Sequence, residues 1–267
     1  MNLNIMYSCN ENYVIQAGVS IISLCENNKD FSNINIYFIE DHLSPKSKKQ
    51  LEEIAEYYHR NLYFYEFDKV CKNLAVKKGD RHPNTIYSKL FLNFLEKVEK
   101  ILYIDCDCII TNSFYNLWQT DMKENIIGGV AMPYSNAIKD FAGVAKDSQF
   151  ICDGFVLINL EKWRQYNMEE KCSNLIKEND GNPHMLSEGI LNKVCCGKIL
   201  ILEPKYNLMP FMLLFNTKKI TKYFNIKQYY SEEKIREAIT NPIVIHFINE
   251  LFNRPWYKNC DHPLKAE

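Results

Sequence analysis

The chain has 267 residues, of which 46 % are hydrophobic and 24 % charged, and its 32 basic and 33 acidic side chains leave a net charge of −1. This composition is typical of a folded globular protein, and the balanced charge excludes a general affinity for nucleic acid. No apolar run reaches the roughly 18 residues of a membrane-spanning helix and no secretory leader precedes Tyr7, so we expect a cytoplasmic protein with reduced cysteines.

The first seventy residues alternate between the periodicities of a strand and a helix. Strands are predicted at 3–8, 34–40 and 62–67, and helices at 13–27 and 45–58. Ser44 is the expected N-cap of the second helix, with Pro45 at its first position. Right-handed crossovers would join the three strands into a parallel sheet.

Residues 100–104, Lys-Ile-Leu-Tyr-Ile, are apolar and branched enough to form a buried strand. The strand must end at Asp105, because a buried carboxylate needs a partner for its charge. On an extended segment the side chains of Asp105 and Asp107 would leave one face about 7 Å apart. A divalent cation would then turn their repulsion into attraction for a phosphorylated ligand. The alternative is a surface turn with two solvated acids.

The first strand is followed by the polar segment Ser-Cys-Asn-Glu-Asn-Tyr at 8–13 and contains no Gly-x-Gly-x-x-Gly turn. Ligands of parallel sheets bind beyond the carboxyl ends of the strands, where this segment would lie. Without a glycine-rich turn, backbone amides alone cannot hold a diphosphate, which favours a metal at the aspartate pair.

Beyond Asp107 the periodicity is looser, and no internal repeat or linker divides the chain. Further strands are predicted at 126–132, 155–159, 199–202 and 243–247, with a helix at 161–166 and two helical pieces within 175–193. The break between those two pieces is expected at Gly181-Asn182-Pro183.

Seven short motifs occur in one order along the chain. They are the asparagine-rich turn at 10–13, Tyr87-Ser88-Lys89-Leu90, the Asp105/Asp107 pair, 154–160 followed by Trp163-Arg164, 189–192, 206–210, and His246-Phe247 before Arg254-Pro255-Trp256. Together they resemble glycosyltransferase family eight, retaining sugar transferases that include glycogenin and bacterial lipopolysaccharide galactosyl- and glucosyltransferases. The resemblance spans nearly the whole chain.

The resemblance implies a GT-A fold, an α/β architecture with a Rossmann-like, mostly parallel central sheet flanked by helices. The chain would form one domain over 1–267. Residues 1–110 would be the nucleotide-binding half, and 111–267 the half that binds the acceptor and the donor sugar.

The resemblance also implies a metal site formed by Asp105, Asp107 and His246, a ligand set that suits Mn²⁺ or Mg²⁺ with diphosphate oxygens in the remaining positions. The alternative for His246 is a core histidine at the end of the apolar strand 243–245. Arg254 matches a family position that contacts the diphosphate, and a solvated surface arginine is its alternative.

A UDP-sugar is the implied donor. The residues expected to bind it are Ser8, Asn10, Asn12, Tyr13, Lys89, Asp105, Cys106, Asp107 and Arg254. Asn10 and Asn12 would contact uracil and ribose, although asparagine also suits a strand-to-helix turn by itself. Tyr13 would stack on the base or only cap the helix. Lys89 replaces the usual arginine and keeps the charge without the bidentate geometry.

Two segments depart from the family pattern. Cys-Asp-Gly at 152–154 replaces Asn-Ser/Ala-Gly, and Ser-Glu-Gly at 187–189 replaces Asp-Gln-Asp. Asp153 and Glu188 are therefore the candidate catalytic residues. Asp153 would restore a carboxylate beside the donor sugar, and Glu188 would attack the anomeric carbon or stabilise an oxocarbenium-like transition state. The alternative for Glu188 is a solvated helix acid.

These features predict a metal-dependent retaining transferase that moves a hexose, glucose or galactose, from a UDP-sugar to a hydroxyl of a saccharide or glycoconjugate. Retention would follow from double displacement or from front-face attack. A non-catalytic nucleotide-sugar or glycan binder is one alternative, and a sugar-nucleotide hydrolase or nucleotidyltransferase is another. We expect no nucleic-acid partner, and a location in the cytoplasm or at the cytoplasmic face of the membrane through a tail that this sequence lacks.

Overall fold

The computed structural model describes residues 1–77, 83–249 and 251–265. Its strands are β1 (Asn2–Asn10), β2 (Asn33–Asp41), β3 (Asn61–Glu66), β4 (Lys100–Ile104), β5 (Cys108–Ile110), β6 (Ile127–Ala131), β7 (Ile151–Asn159), β8 (Ile199–Ile201) and β9 (Val244–His246). Its α-helices are α1 (Val14–Asn27), α2 (Pro45–Tyr57), α3 (Phe67–Val70), α4 (Tyr115–Trp118), α5 (Asn136–Phe141), α6 (Leu160–Gln165), α7 (Met168–Glu178), α8 (Leu186–Val194), α9 (Pro210–Leu214), α10 (Thr217–Tyr223) and α11 (Glu232–Thr240). Short 3-10 helices cover Glu11–Tyr13, Asn84–Leu90 and Pro204–Tyr206.

Seven strands form one sheet in the order β3-β2-β1-β4-β7-β6-β8. Strands β1 to β4 are parallel to one another, β7 is antiparallel to both of its neighbours, and β8 is parallel to β6. Within the described residues β7 is therefore the one reversed strand of this sheet, which confirms the predicted mostly parallel α/β architecture. The sheet takes strands from both of the predicted halves of the chain.

The strand β4 is apolar on both faces because both faces are covered. Leu102 and Ile104 belong to one hydrophobic cluster, which also contains buried apolar residues of α1 and Leu51 of α2. Ile101 and Tyr103 belong to a second cluster, which contains the buried residues of α7 and α8. Helices thus lie on both sides of the sheet, and a strand buried in this way reads as a continuous apolar run.

The predicted boundaries at the start of the chain are close to the observed ones. Ser44 caps α2 by accepting a hydrogen bond from the Ser47 amide at 3.1 Å, with Pro45 at the first helical position, as predicted. The break predicted at 181–183 separates α7 from α8. One helix prediction began too early, since residues 11–13 form a 3-10 turn before α1.

One local prediction was wrong. Residues 105–107 are not extended but form a turn, in which the Cys108 amide donates to the Asp105 carbonyl at 3.2 Å. The late strand predicted at 243–247 is confirmed as β9, which lies outside the large sheet. As β9 it pairs with β5 in a separate antiparallel ladder, with His246 opposite Cys108.

The cysteine thiols are all free, and all but Cys196 and Cys260 are buried. Among the described residues, no helix combines the length and the apolar character needed to cross a bilayer.

The start of β7 is held by the buried side chain of Asn192 on α8. Its Oδ1 accepts from the Ile151 amide at 2.8 Å, and its Nδ2 donates to the Ile151 and Glu188 carbonyls, both at 2.9 Å. One side chain therefore joins a helix to a central strand.

Replacing Asn192 with alanine should lower the free energy of unfolding by about 2 to 3 kcal/mol, because the buried backbone groups of Ile151 lose their partners. Urea unfolding followed by circular dichroism measures the change. The control is Asn73→Ala at an exposed position, which should shift stability by less than about 0.5 kcal/mol. Equal stability of the two variants would contradict this role of Asn192.

Candidate active site

Two aspartates form the centre of the site, in the turn between β4 and β5. The Asp105 amide donates to the Gly154 carbonyl at 2.8 Å, which ties the turn to β7. The Asp107 side chain is only 7 % exposed, whereas the Asp105 side chain is 33 % exposed and borders solvent. A nearly buried carboxylate of this kind requires positive charge close by.

His246, on β9, supplies part of that charge. Its Nε2 lies 3.2 Å from Oδ1 of Asp107 and 3.9 Å from Oδ2 of Asp105. Its Nδ1 lies 3.0 Å from Oδ1 of Asn207, and this carbonyl oxygen can only accept a hydrogen bond. A neutral imidazole would therefore carry its proton on Nδ1 and present the lone pair of Nε2 to the carboxylates.

Arg254 supplies the rest of the charge beside Asp107. Its Nε and Nη2 donate to Oδ2 of Asp107 at 3.1 and 2.7 Å, and Nε also donates to the Phe247 carbonyl at 3.0 Å. Its guanidinium carbon lies 5.7 Å from the centre of the Tyr13 ring. Arg254 therefore lies within the site and is not a solvated surface side chain.

The pKa values follow from these contacts. Burial raises the pKa of Asp105 above its ordinary value. Burial would also raise the pKa of Asp107, but His246 and Arg254 outweigh this effect and hold that pKa below its usual range. Although burial would lower the pKa of His246, Asp107 raises it well above the ordinary value.

Gly154, on β7, leaves the space that the three side chains share. A Cβ atom at this position would lie 2.7 Å from Oδ2 of Asp105 and would collide with the His246 imidazole. Only glycine therefore allows the carboxylate and the imidazole to approach each other here.

The donor atoms fit a divalent cation. Ligand atoms of Asp107, Cys108 and His246 all lie within 4.8 Å of one another, and Asp105 adds a carboxylate next to the imidazole. Cys108 was not among the predicted ligands. Burial raises the pKa of its thiol well above the ordinary value. Two carboxylates and an imidazole suit Mn²⁺ or Mg²⁺.

Lys89 links the aspartate turn to β7. Its Nζ donates to the carbonyl and to Oδ2 of Asp153 at 2.9 and 3.1 Å, and lies 3.6 Å from Oδ1 of Asp105. It also lies 4.2 Å from the centre of the Tyr103 ring. Burial would lower the pKa of Lys89, but Asp105 and Asp153 raise it to about 12, so the buried amine stays charged.

The two candidate catalytic acids lie in different surroundings. Oδ2 of Asp153 accepts from Lys89 and from the Ser187 hydroxyl, the latter at 2.6 Å. Glu188 follows Ser187 on α8, is partly exposed, and accepts from the Tyr134 hydroxyl at 3.3 Å. Asp153 is thus fixed by two donors, and Glu188 is partly exposed beside Tyr134.

The backbone that leads into α8 is strained. Met185 and Leu186 both adopt left-handed conformations, with φ of 58° and 53°. Such conformations are unfavourable for bulky side chains and often occur at functional sites. These two conformations precede Glu188, which lies in the first turn of α8.

The predicted nucleotide-binding turn shows local hydrogen bonding. Oδ1 of Asn10 accepts from the Asn12 amide at 3.1 Å, as the turn alternative requires. The Ser8 hydroxyl donates to the Thr85 carbonyl at 3.2 Å, and the Cys106 thiol donates to the Ser8 carbonyl at 3.5 Å. The turn is therefore continuous with the aspartate site, while uridine binding stays a prediction.

Sequence reasoning gave no role to three residues that shape the site. Asn207 orients His246, Ser187 holds Asp153, and the Tyr103 hydroxyl donates to Oδ1 of Asp105 at 2.7 Å. The sequence signal for Asn207 was weak. It is a polar residue inside an apolar run, but nothing in that run indicates which residue it would contact. In the structure its side chain is fully buried.

A family model described as "Glycosyl transferase family 8" matches residues 4–260, so the chain belongs to this family. Its curated relatives include General stress protein A of Bacillus subtilis, which is 24 % identical over 99 % of this chain and 91 % of the relative. A lipopolysaccharide 1,2-glucosyltransferase of Escherichia coli is 24 % identical over 95 % and 73 %. A lipopolysaccharide 1,3-galactosyltransferase of Salmonella typhimurium is 21 % identical over 98 % and 75 %.

Solved structures similar to this chain include those of the galactosyltransferase LgtC. One is a complex with donor and acceptor sugar analogues, and another is an active-site mutant in which glutamate replaces glutamine. Both have a TM-score of 0.79 and 20 % identity, and the match covers 99 % of this chain and 93 % of LgtC. The likeness confirms the GT-A fold implied by the motifs.

Replacing Gly154 with alanine should weaken Mn²⁺ binding by at least about tenfold, because the added methyl group would separate Asp105 from His246. It should also lower the free energy of unfolding by about 1 to 3 kcal/mol. Electron paramagnetic resonance of free Mn²⁺ and urea unfolding measure the two effects.

Gly128→Ala is the matched control on β6, since a Cβ atom there would meet its nearest neighbours at an ordinary 3.6 Å. It should leave Mn²⁺ affinity unchanged. If Gly154→Ala binds Mn²⁺ as tightly as this control does, Asp105 and His246 are not ligands of one ion.

Proposed function

We propose that this chain is a metal-dependent retaining glycosyltransferase that moves a hexose, glucose or galactose, from a UDP-sugar to a hydroxyl of a saccharide or glycoconjugate. The observation that carries the proposal is the meeting of Asp105, Asp107 and His246 with Lys89 and Arg254 at one end of a GT-A sheet. The two carboxylates and the imidazole suit a divalent ion, and the two positively charged side chains suit a diphosphate bound to that ion. Membership of the family supports the transfer of a sugar.

Asp105, Asp107 and His246 would hold Mn²⁺ or Mg²⁺, which when bound offsets negative charge on the leaving diphosphate. Arg254, already beside Asp107, would add hydrogen bonds from its guanidinium to diphosphate oxygens. Lys89 keeps Asp105 and Asp153 in place through its buried ammonium group.

The nucleoside would lie over the turn after β1. Asn10 and Asn12 would contact uracil and ribose, and Tyr13 would stack on the base. Ser8 and Cys106 form the floor of this region, where the thiol meets the Ser8 carbonyl. The position of Tyr13 beside Arg254 supports a continuous path from base to diphosphate.

In the transfer, the bond between the anomeric carbon and the diphosphate oxygen breaks, and the acceptor oxygen bonds to that carbon on the same face. The acceptor proton passes to an oxygen of the leaving diphosphate or to a carboxylate. Glu188 would stabilise the positive charge on the sugar ring or form a transient covalent bond to it. Asp153 would contact the donor sugar.

Turnover of a UDP-sugar is the first test. UDP release from a panel of UDP-sugars with Mn²⁺ should identify one donor, and Asp105→Asn/Asp107→Asn or EDTA should reduce the rate by at least about a hundredfold, because the charge on the leaving group is no longer offset. The control is Asp121→Asn/Asp180→Asn, which makes the same change in charge at exposed positions.

Binding of donor with metal but no release of UDP, with or without added saccharides, would contradict a transferase and favour a binding protein. Release that persists in EDTA would contradict the role of the metal.

The role of Glu188 is tested by its replacement with glutamine. If its negative charge acts on the transition state, Glu188→Gln should lower kcat by about a hundredfold while KM for the donor changes little. The matched control is Glu178→Gln on the exposed face of α7, which should keep full activity. Near-full transfer by Glu188→Gln would exclude Glu188 as a nucleophile.

A further inference from the structure

A cleft of about 690 Å³ lies beside β6 and β8, next to the candidate active site. Its walls are formed by the segment after β6, the segment before β7 and the segment between α10 and α11. Its volume lies within the range of about 300 to 1,000 Å³ that is usual for ligand sites. None of the residues assigned to the metal or the donor lines this cleft. The cleft is linked to the candidate catalytic residues through Tyr134, whose hydroxyl donates to Glu188.

The cleft is close enough to the active site for one molecule to reach both. Phe150 lines the cleft and directly precedes β7, and Gly154 follows four residues later. At about 3.3 Å per residue these positions are about 13 Å apart. The Tyr134 ring packs on Phe150 at 5.1 Å, and its hydroxyl donates to Glu188 at 3.3 Å. Tyr134 thus borders both the cleft and the candidate catalytic carboxylate.

The outer wall of the cleft is fixed in place. The Tyr229 hydroxyl donates to the Ala131 carbonyl at 2.6 Å, and the Tyr230 hydroxyl donates to the Leu202 carbonyl at 2.7 Å. Tyr230 also accepts from the Ala131 amide at 2.9 Å. Three hydrogen bonds to the strand region make this wall part of a preorganised site, which reduces the entropic cost of binding.

The lining is suited to a saccharide. Its side-chain hydroxyls and amides can both donate to and accept from sugar hydroxyls. They belong to Ser135, Asn136, Ser148, Gln149, Asn225 and Gln228. Tyr134, which is partly exposed, adds aromatic surface to the wall nearest the active site.

The charge of the lining is positive. Lys139, Lys146 and Lys227 line the cleft against the single acid Asp147. Lys146 and Lys227 are exposed, whereas Nζ of Lys139 donates to the Ser148 carbonyl at 2.7 Å. In a chain with a net charge of −1, a local excess of two positive charges favours an anionic ligand.

We propose that this cleft binds the portion of the acceptor that lies behind the reacting hydroxyl, and that the acceptor is an acidic oligosaccharide. The inference rests on the proposed function, since an acceptor must extend from the cleft to the donor sugar. It adds a substrate class and a binding site formed by residues outside the metal and nucleotide regions.

The test is isothermal titration with two α-linked probes of equal length, hexagalacturonate and the uncharged maltohexaose. Hexagalacturonate should bind more tightly. Lys146→Glu/Lys227→Glu should weaken its binding by about tenfold, because two attractive charges become repulsive. Lys46→Glu/Lys97→Glu makes the same change in net charge at exposed lysines outside the cleft, and should bind hexagalacturonate within about twofold of the unaltered protein.

Ala137→Trp, at an exposed cleft position on α5, tests occupancy by steric block and should weaken the binding of both probes. The proposal would be overturned if the unaltered protein did not bind hexagalacturonate, or if it bound maltohexaose more tightly. It would also be overturned if Lys146→Glu/Lys227→Glu bound hexagalacturonate as tightly as the unaltered protein does. UDP release from the donor without acceptor, measured on the unaltered protein, reports the donor site alone. Its absence both without acceptor and with added saccharides would contradict the proposed function, while the titration still decides whether the cleft binds an acidic saccharide.

Discussion

The site depends on one constraint, the compensation of two carboxylates at the end of a buried strand. Asp107 is almost fully enclosed, and an isolated charge there would cost several kcal/mol. The chain therefore brings His246 to it through the pairing of β5 with β9, and Arg254 through the segment that follows. The same compensation leaves Asp105 free to face solvent. A ligand that carries its own cation and a diphosphate would meet ligating oxygens on one side and a guanidinium on the other.

The reversed strand β7 is what allows two distant segments to form the site. Because β4 and β7 are antiparallel, with Ile104 opposite Phe155, the beginning of β7 lies beside the end of β4. Asp153 and Gly154 therefore meet Asp105 at the edge where the parallel strands also end. An all-parallel sheet would have placed the beginning of this strand at the opposite edge. The helix that carries Glu188 is then fixed to the same strand by the buried Asn192 and by the hydrogen bond from Ser187 to Asp153.

The sequence predicted the parts of the fold that depend on local pattern. The alternation before residue 70 predicted the parallel unit, and the charge of Asp105 predicted the end of β4. The resemblance to the family implied that Asp105, Asp107 and His246 form one site, and these three side chains do lie together. The sequence did not predict the turn at 105–107, because two charges one residue apart suit a strand end and a turn equally. Nor did it predict that Lys89 bonds to Asp153 or that Arg254 bonds to Asp107, since these contacts join residues 64 and 147 positions apart.

The amide of Asn207 shows a cost of this arrangement. Its Oδ1 accepts from His246, but among the described residues its Nδ2 has no hydrogen-bond partner although the side chain is fully buried. An unsatisfied buried donor lowers stability by about 1 to 3 kcal/mol. A leucine of similar size would remove this penalty and also the group that orients the imidazole. Selection for a more heat-resistant protein alone would therefore favour changes at this position that selection for activity would reject.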